Sequence, residues 1–110
     1  MIIAKHVSPD GLLELIVARD AEGDYTVGFS PFPWHTHGDI LAAVNGGTPE
    51  VAVARLIEDV LASCAVLVLS RIDGELCDVW VADDPDDDEA SHAAPNETIE
   101  KRYWNGCRYE

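Results

Sequence analysis

Hydrophobic and polar positions alternate with a period of two in Tyr25 to Phe29 and Thr98 to Trp104, run nearly continuously apolar in two other strand-like stretches, and follow a helical period in one long stretch. Met1 to Lys5 reads as a short first strand, closed by the turn residues Ser8-Pro9-Asp10-Gly11. From Leu12 to Arg19 the apolar residues fall on both faces, Leu13, Leu15 and Val17 on one and Leu12, Ile16 and Ala18 on the other. A strand covered on both sides accounts for this; a short helix fits the same periodicity. The polar loop Asp20 to Asp24 then leads into Tyr25 to Phe29, where Tyr25, Val27 and Phe29 share one face and Thr26 and Gly28 the other, completing a first hairpin.

Pro31 and Pro33 interrupt any further ladder, because neither donates a backbone hydrogen bond. Ile40 to Val44 has the composition of one or two helical turns, ended by Asn45-Gly46-Gly47. The period changes to 3.6 after Thr48-Pro49-Glu50, a hydroxyl cap, a proline at the first helical position and an acid at the positive end of the dipole. Val53, Leu56, Ile57, Val60, Leu61 and Cys64 form one stripe, which predicts a helix over roughly 49–63.

Ala65 to Ile72 is almost continuously apolar, as a central strand is. Asp73-Gly74 supplies a two-residue hairpin turn, so Glu75 to Ala82 is expected to pair antiparallel, Val66 with Val81, Leu67 with Trp80 and Val68 with Val79, with Arg71 diagonal to Asp78. The run Asp83 to Glu89 opens a loop expected to be mobile to about Asn96, and Thr98 to Trp104 alternates as a last strand before the Asn105-Gly106 turn. These elements predict an α+β domain, an antiparallel sheet of five to six strands in βββ-α-βββ order with one main helix packed on one face.

Size and charge narrow the partners. At 110 residues the chain suits one domain with one core. No apolar run is long enough to span a bilayer and the first residues lead into a polar turn, which makes a cytoplasmic location the expectation. Cys64, Cys77 and Cys107 are odd in number and widely spaced, a pattern of reduced thiols rather than of a disulfide framework. The 21 acidic against 7 basic side chains set a formal charge of −14, which repels nucleic-acid phosphates and anionic membranes and attracts basic protein surfaces.

Candidate chemistry concentrates in Ser30-Pro31-Phe32-Pro33-Trp34-His35-Thr36-His37-Gly38-Asp39. In extended form His35, His37 and Asp39 share a face and make a partial ligand set for zinc or ferrous iron. His6, His92, Asp83 and Cys107 are the available fourth ligands. The bland alternative has Phe32 and Trp34 plugging the end of a sheet, the histidines satisfying loop backbone and Asp39 capping a short helix. Gly28-Phe29 followed by Trp34-His35-Thr36-His37 resembles the strand-end motif of JAB-type zinc isopeptidases. In that family a downstream Ser-x-x-Asp and an upstream catalytic glutamate complete the site. Asn45 and Thr48 stand at the Ser and Asp spacings here, so the ligand aspartate is missing, and Glu14 or Glu22 is the acid available.

In length, acidity and strand-helix-strand order the chain also resembles the small immunity proteins of bacterial toxin systems, many of which neutralise basic nucleases. That resemblance implies a non-enzymatic domain, without a cofactor, that masks a basic partner protein. The acids Asp84, Asp86, Asp87 and Asp88 would supply attraction and Trp34, Trp80 and Trp104 anchoring surface. The alternative is a metal-dependent hydrolase on His35, His37 and Asp39.

Overall fold

Seven strands and two helices follow one another in a computed structural model that describes residues 1–82, 86 and 93–109. The first three strands, β1 (Ile2–Val7), β2 (Glu14–Arg19) and β3 (Tyr25–Phe29), form an antiparallel meander as the alternation predicts. Ser8 sets the β1–β2 turn. Its hydroxyl donates to Asp10 Oδ1 (2.6 Å) and accepts the Leu13 N–H (3.0 Å), while Asp10 Oδ1 also accepts the Leu12 N–H (3.0 Å). Leu13, Leu15 and Val17 are fully buried, and Leu15 and Val17 pair with Phe29 and Val27 of β3. The expectation that this strand is covered on both sides fails: Leu12 is exposed and Ile16 and Ala18 are only half-buried, because no other described element packs on that face.

The His-Thr-His segment adds a fourth strand, β4 (His35–His37), antiparallel to β3, and α1 (Gly38–Asn45) begins directly after it. α2 (Pro49–Leu61) follows the three-residue link, with Thr48 Oγ1 accepting the Val51 N–H (3.2 Å) and Pro49 at the first position. Ala52, Val53 and Val60 are its buried residues. The helix stops at Ser63, which takes φ 59° while Cys64 N–H returns to the Asp59 carbonyl (2.8 Å). Of the residues placed on the apolar stripe by periodicity, Leu61, the last residue of α2, and Cys64, beyond its end, are exposed.

β5 (Leu67–Ile72) is the centre of a second sheet, flanked by β6 (Glu75–Val81) and β7 (Glu97–Arg102). Asp73 and Gly74 both have positive φ, the geometry that an Asp-Gly hairpin turn requires. Cross-strand register departs from the expected one. Arg71 pairs with Leu76, but Ser70 pairs with Asp78, so Cys77 is an extra residue and Leu67, Val68 and Leu69 face Val81, Trp80 and Val79. The bulge has a packing reason. Strict alternation puts Leu76 and Val79 on opposite faces, whereas with Cys77 inserted both pack on the core. Arg71 then meets Glu100 of β7 rather than Asp78.

The α+β class is as expected, but the single sheet is replaced by two, ordered β1-β2-β3-β4 and β6-β5-β7. β4 fills the free edge of β3, and β5 has both edges occupied by its own neighbours. The two sheets therefore meet through side chains, in one core that joins Leu15, Val17, Val27 and Phe29 to Leu67, Leu69, Val79 and the α2 residues Val53 and Val60. Among the described residues no single helix is long and apolar enough to cross a membrane; α1 and α2 reach that length together only across an 87° bend. Most of the loop expected to be mobile, residues 83–85 and 87–92, lies outside the described residues.

Candidate functional site

The face of the four-stranded sheet opposite the core is left open. Cross-strand pairing lines up Ile16 with Gly28 and Ala18 with Thr26, then Gly28 with His35 and Thr26 with His37, so one face carries an apolar floor and a pair of imidazoles. The Pro-Phe-Pro-Trp segment closes one end. The result is a groove of about 460 Å³, bordered on the far side by Lys5 and Glu14, which form an ion pair at 3.3 Å.

Gly28 makes the close approach of β4 feasible. A Cβ there would lie 2.7 Å from the Trp34 carbonyl oxygen and 3.3 Å from the His35 Cβ, so any side chain pushes β4 off the sheet. Trp34 is half-buried, with its ring stacked at 6.2 Å on Phe29, and its N–H donates to Asp78 Oδ1 (3.2 Å). Asp78 sits at the β6 bulge, which aims its carboxylate at this segment 44 residues away; the same oxygen accepts the Val79 N–H (2.9 Å). A residue expected to pair with Arg71 thus fastens the rim of the groove to the other sheet.

His35 is exposed and His37 half-buried, with ring centroids 5.0 Å apart at an interplanar angle of 83°. His35 Nδ1 lies 3.0 Å from the Pro33 carbonyl oxygen. His37 Nδ1 lies 3.3 Å from Thr26 Oγ1 and 3.9 Å from Asp24 Oδ2. Asp24 is itself held, its Oδ1 accepting the N–H groups of Tyr25 (2.8 Å) and Asp39 (3.2 Å), so this aspartate from the β2–β3 loop caps α1. Gly38 permits the arrangement, because a Cβ there would stand 3.2 Å from Asp24 Oδ1 and 3.1 Å from the Pro49 Cβ.

Asp39 does not join the histidines as alternation predicted. The chain leaves the extended form after His37, and in the first turn of α1 the Asp39 carboxylate accepts the Ile40 N–H (2.7 Å). Nor does Asp39 act as the helix cap; Asp24 does. Among the described residues no three His, Cys, Asp or Glu side chains come together in a way that could hold a metal ion. Of the available fourth ligands, His6 lies in β1 and Cys107 is exposed in the C-terminal segment, while His92 and Asp83 are outside the described residues.

The expected anchoring aromatics are dispersed. Trp34 rims the groove, whereas Trp80 is half-buried on the second sheet opposite Val68. Trp104, expected to alternate in the last strand, falls in the turn after β7 and is 5% exposed, part of the core rather than a surface anchor. The reason is local: Tyr103 N–H bonds the Cys107 carbonyl (2.8 Å) and Tyr109 N–H the Lys101 carbonyl (3.0 Å), folding the tail back beside β7 and turning the indole inward. Asp86 is exposed and accepts a hydrogen bond from the Tyr109 hydroxyl; Asp84, Asp87 and Asp88 lie outside the described residues.

Sequence reasoning missed Asp24, Thr26 and Gly28 as parts of this site. The signal was the shared face of Thr26 and Gly28 in β3, which becomes informative only when the histidine segment is placed beside that strand. Compared with known protein families, characterised proteins and solved structures, the chain shows no significant match to any.

Proposed function

We propose that this chain is a non-enzymatic, acidic protein-binding domain that masks a basic surface on a partner protein, in the manner of the immunity proteins it resembles in size and charge. The observation that carries this reading is electrostatic. Of 7 lysine and arginine side chains set against 21 acids, Lys5, Arg71 and Arg102 are each ion-paired to a carboxylate of the same chain, with Glu14, Glu100 and Asp10. The outward potential is therefore negative with few cations left to relieve it, which speeds encounter with a basic surface and orients it. The groove supplies what charge alone does not, an apolar floor and the half-buried aromatic rim of Phe32 and Trp34.

The test is affinity capture on the immobilised full chain, with elution from about 0.05 to about 0.5 M NaCl, a range over which the Debye length falls several-fold. The retained partner is expected to be basic and to elute within that range. Trp34→Ala is expected to weaken its binding by roughly tenfold. A retained partner that is acidic, or one whose binding is indifferent to salt, overturns the reading.

A further inference from the structure

We propose that His35 and His37 form a two-histidine site for a divalent late first-row transition metal, facing the open groove and leaving its remaining coordination positions to donors from outside the chain. This inference stands apart from the docking reading. It rests on how the second nitrogen of each ring is committed. His35 Nδ1 faces the Pro33 carbonyl oxygen at 3.0 Å, and a carbonyl only accepts, so Nδ1 carries the proton. The lone pair of the neutral ring is then on Nε2.

His37 is set the same way. Its Nδ1 is within hydrogen-bond distance of the Thr26 hydroxyl at 3.3 Å, which can accept its N–H. The Asp24 carboxylate at 3.9 Å, too far for a direct bond, favours a proton on that side of the ring by its charge, leaving Nε2 as the free donor atom. A metal-ligating histidine is ordinarily oriented by this kind of contact from its other nitrogen to a carbonyl or carboxylate. Here His35 already makes it to a carbonyl, and His37 has a hydroxyl in bonding range with the carboxylate next to it. Asp24 is fixed by the Tyr25 and Asp39 N–H groups, so its direction does not depend on an ion.

Position completes the case. Residues two apart on β4 project from one face, the rings are 5.0 Å apart, and both line the same groove. Imidazole selects metals such as zinc or copper over calcium and magnesium, which prefer oxygen. With no third protein donor gathered among the described residues, the metal stays open to water or to a donor of a docked molecule. Asp24 is a positioning residue in this arrangement.

The probe is Zn²⁺, titrated calorimetrically into the untagged, chelator-stripped full chain, with ¹⁵N spectra of the histidine rings recorded in parallel. One saturable event is expected that shifts Nε2 of His35 and His37 and not of His6. His35→Ala and His37→Ala should each abolish the shift at the remaining ring's Nε2. Asp24→Asn, which keeps an oxygen for the α1 cap, should weaken Zn²⁺ binding by about tenfold with unchanged thermal unfolding. If the alanine variants fail to fold, His35→Gln and His37→Gln serve in their place. Zn²⁺ uptake that survives loss of both histidines places the ion on the exposed thiols or the acids and overturns the proposal, as does the absence of saturable binding.

Discussion

Asp10 ties the β1–β2 turn to the C-terminal end of β7. It accepts from the Ser8 hydroxyl, from the Leu12 N–H and, through Oδ2 at 2.9 Å, from the guanidinium of Arg102, a side chain that is 6% exposed. The Ser8 hydroxyl first, then the Leu12 N–H and Arg102, hold its carboxyl at about 2, below the ordinary 3.8. A folded value below the unfolded one contributes stability that is complete above pH ~4 and is lost as pH falls toward ~2. Asp10→Asn is therefore expected to lower the urea-unfolding free energy at pH 7 by about 1 kcal/mol, a figure kept small because the carboxylate is 41% exposed and screened. The difference from the parent chain should shrink between pH 4 and pH 2; a constant difference across that window refutes the linkage. Glu97 is shifted down too, by the Ser70 hydroxyl and then the Ala94 N–H, and acts in the same direction. The residues of the groove show the same dependence on neighbours: neither Asp24 nor Gly28 has a role that its own segment reveals.

At the scale of elements, the bulge in β6 decides two things together. It brings Leu76 and Val79 to the core and leaves Asp78 at the sheet edge, where its carboxylate takes the Trp34 N–H. Asp78→Ala removes the acceptor of two backbone N–H groups, at an expected cost of about 1–2 kcal/mol. Amide hydrogen exchange at Trp34 should quicken in that variant while exchange in α2 keeps pace with global stability; unchanged Trp34 protection would show that Asp78 does not hold the rim. The helix α2 was legible because its cap, proline and apolar stripe act within one segment. β4 was not, since a strand of three residues has no periodicity to display and exists through its bonds to β3. The register beyond the Asp73-Gly74 turn was misread for a related reason. A turn sets pairing only up to the first irregularity, and what placed an extra residue there was the demand of a core built from other elements.

For the whole molecule the dominant quantity is the charge of −14. Self-repulsion of this size opposes compaction, and the lysine and arginine ion pairs seen among the described residues are partly exposed pairs that return little each. Raising NaCl from about 0.05 to about 0.5 M is thus expected to raise the melting temperature, by roughly 4–8 °C if screening restores about 1 kcal/mol. A fall with salt would mean that ion pairs outweigh repulsion and would remove the electrostatic basis of the proposed function. Composition, turn chemistry and periodicity were sufficient to set the class, the first hairpin, the long helix and the β5–β6 turn, because each depends on interactions among residues a few positions apart. Tertiary structure alone decided that there are two sheets rather than one, that Trp104 enters the core, and that Asp39 turns away from the histidines while Asp24 approaches them. Those outcomes depend on edges already filled and faces already covered by distant segments, quantities that no local window of the chain contains.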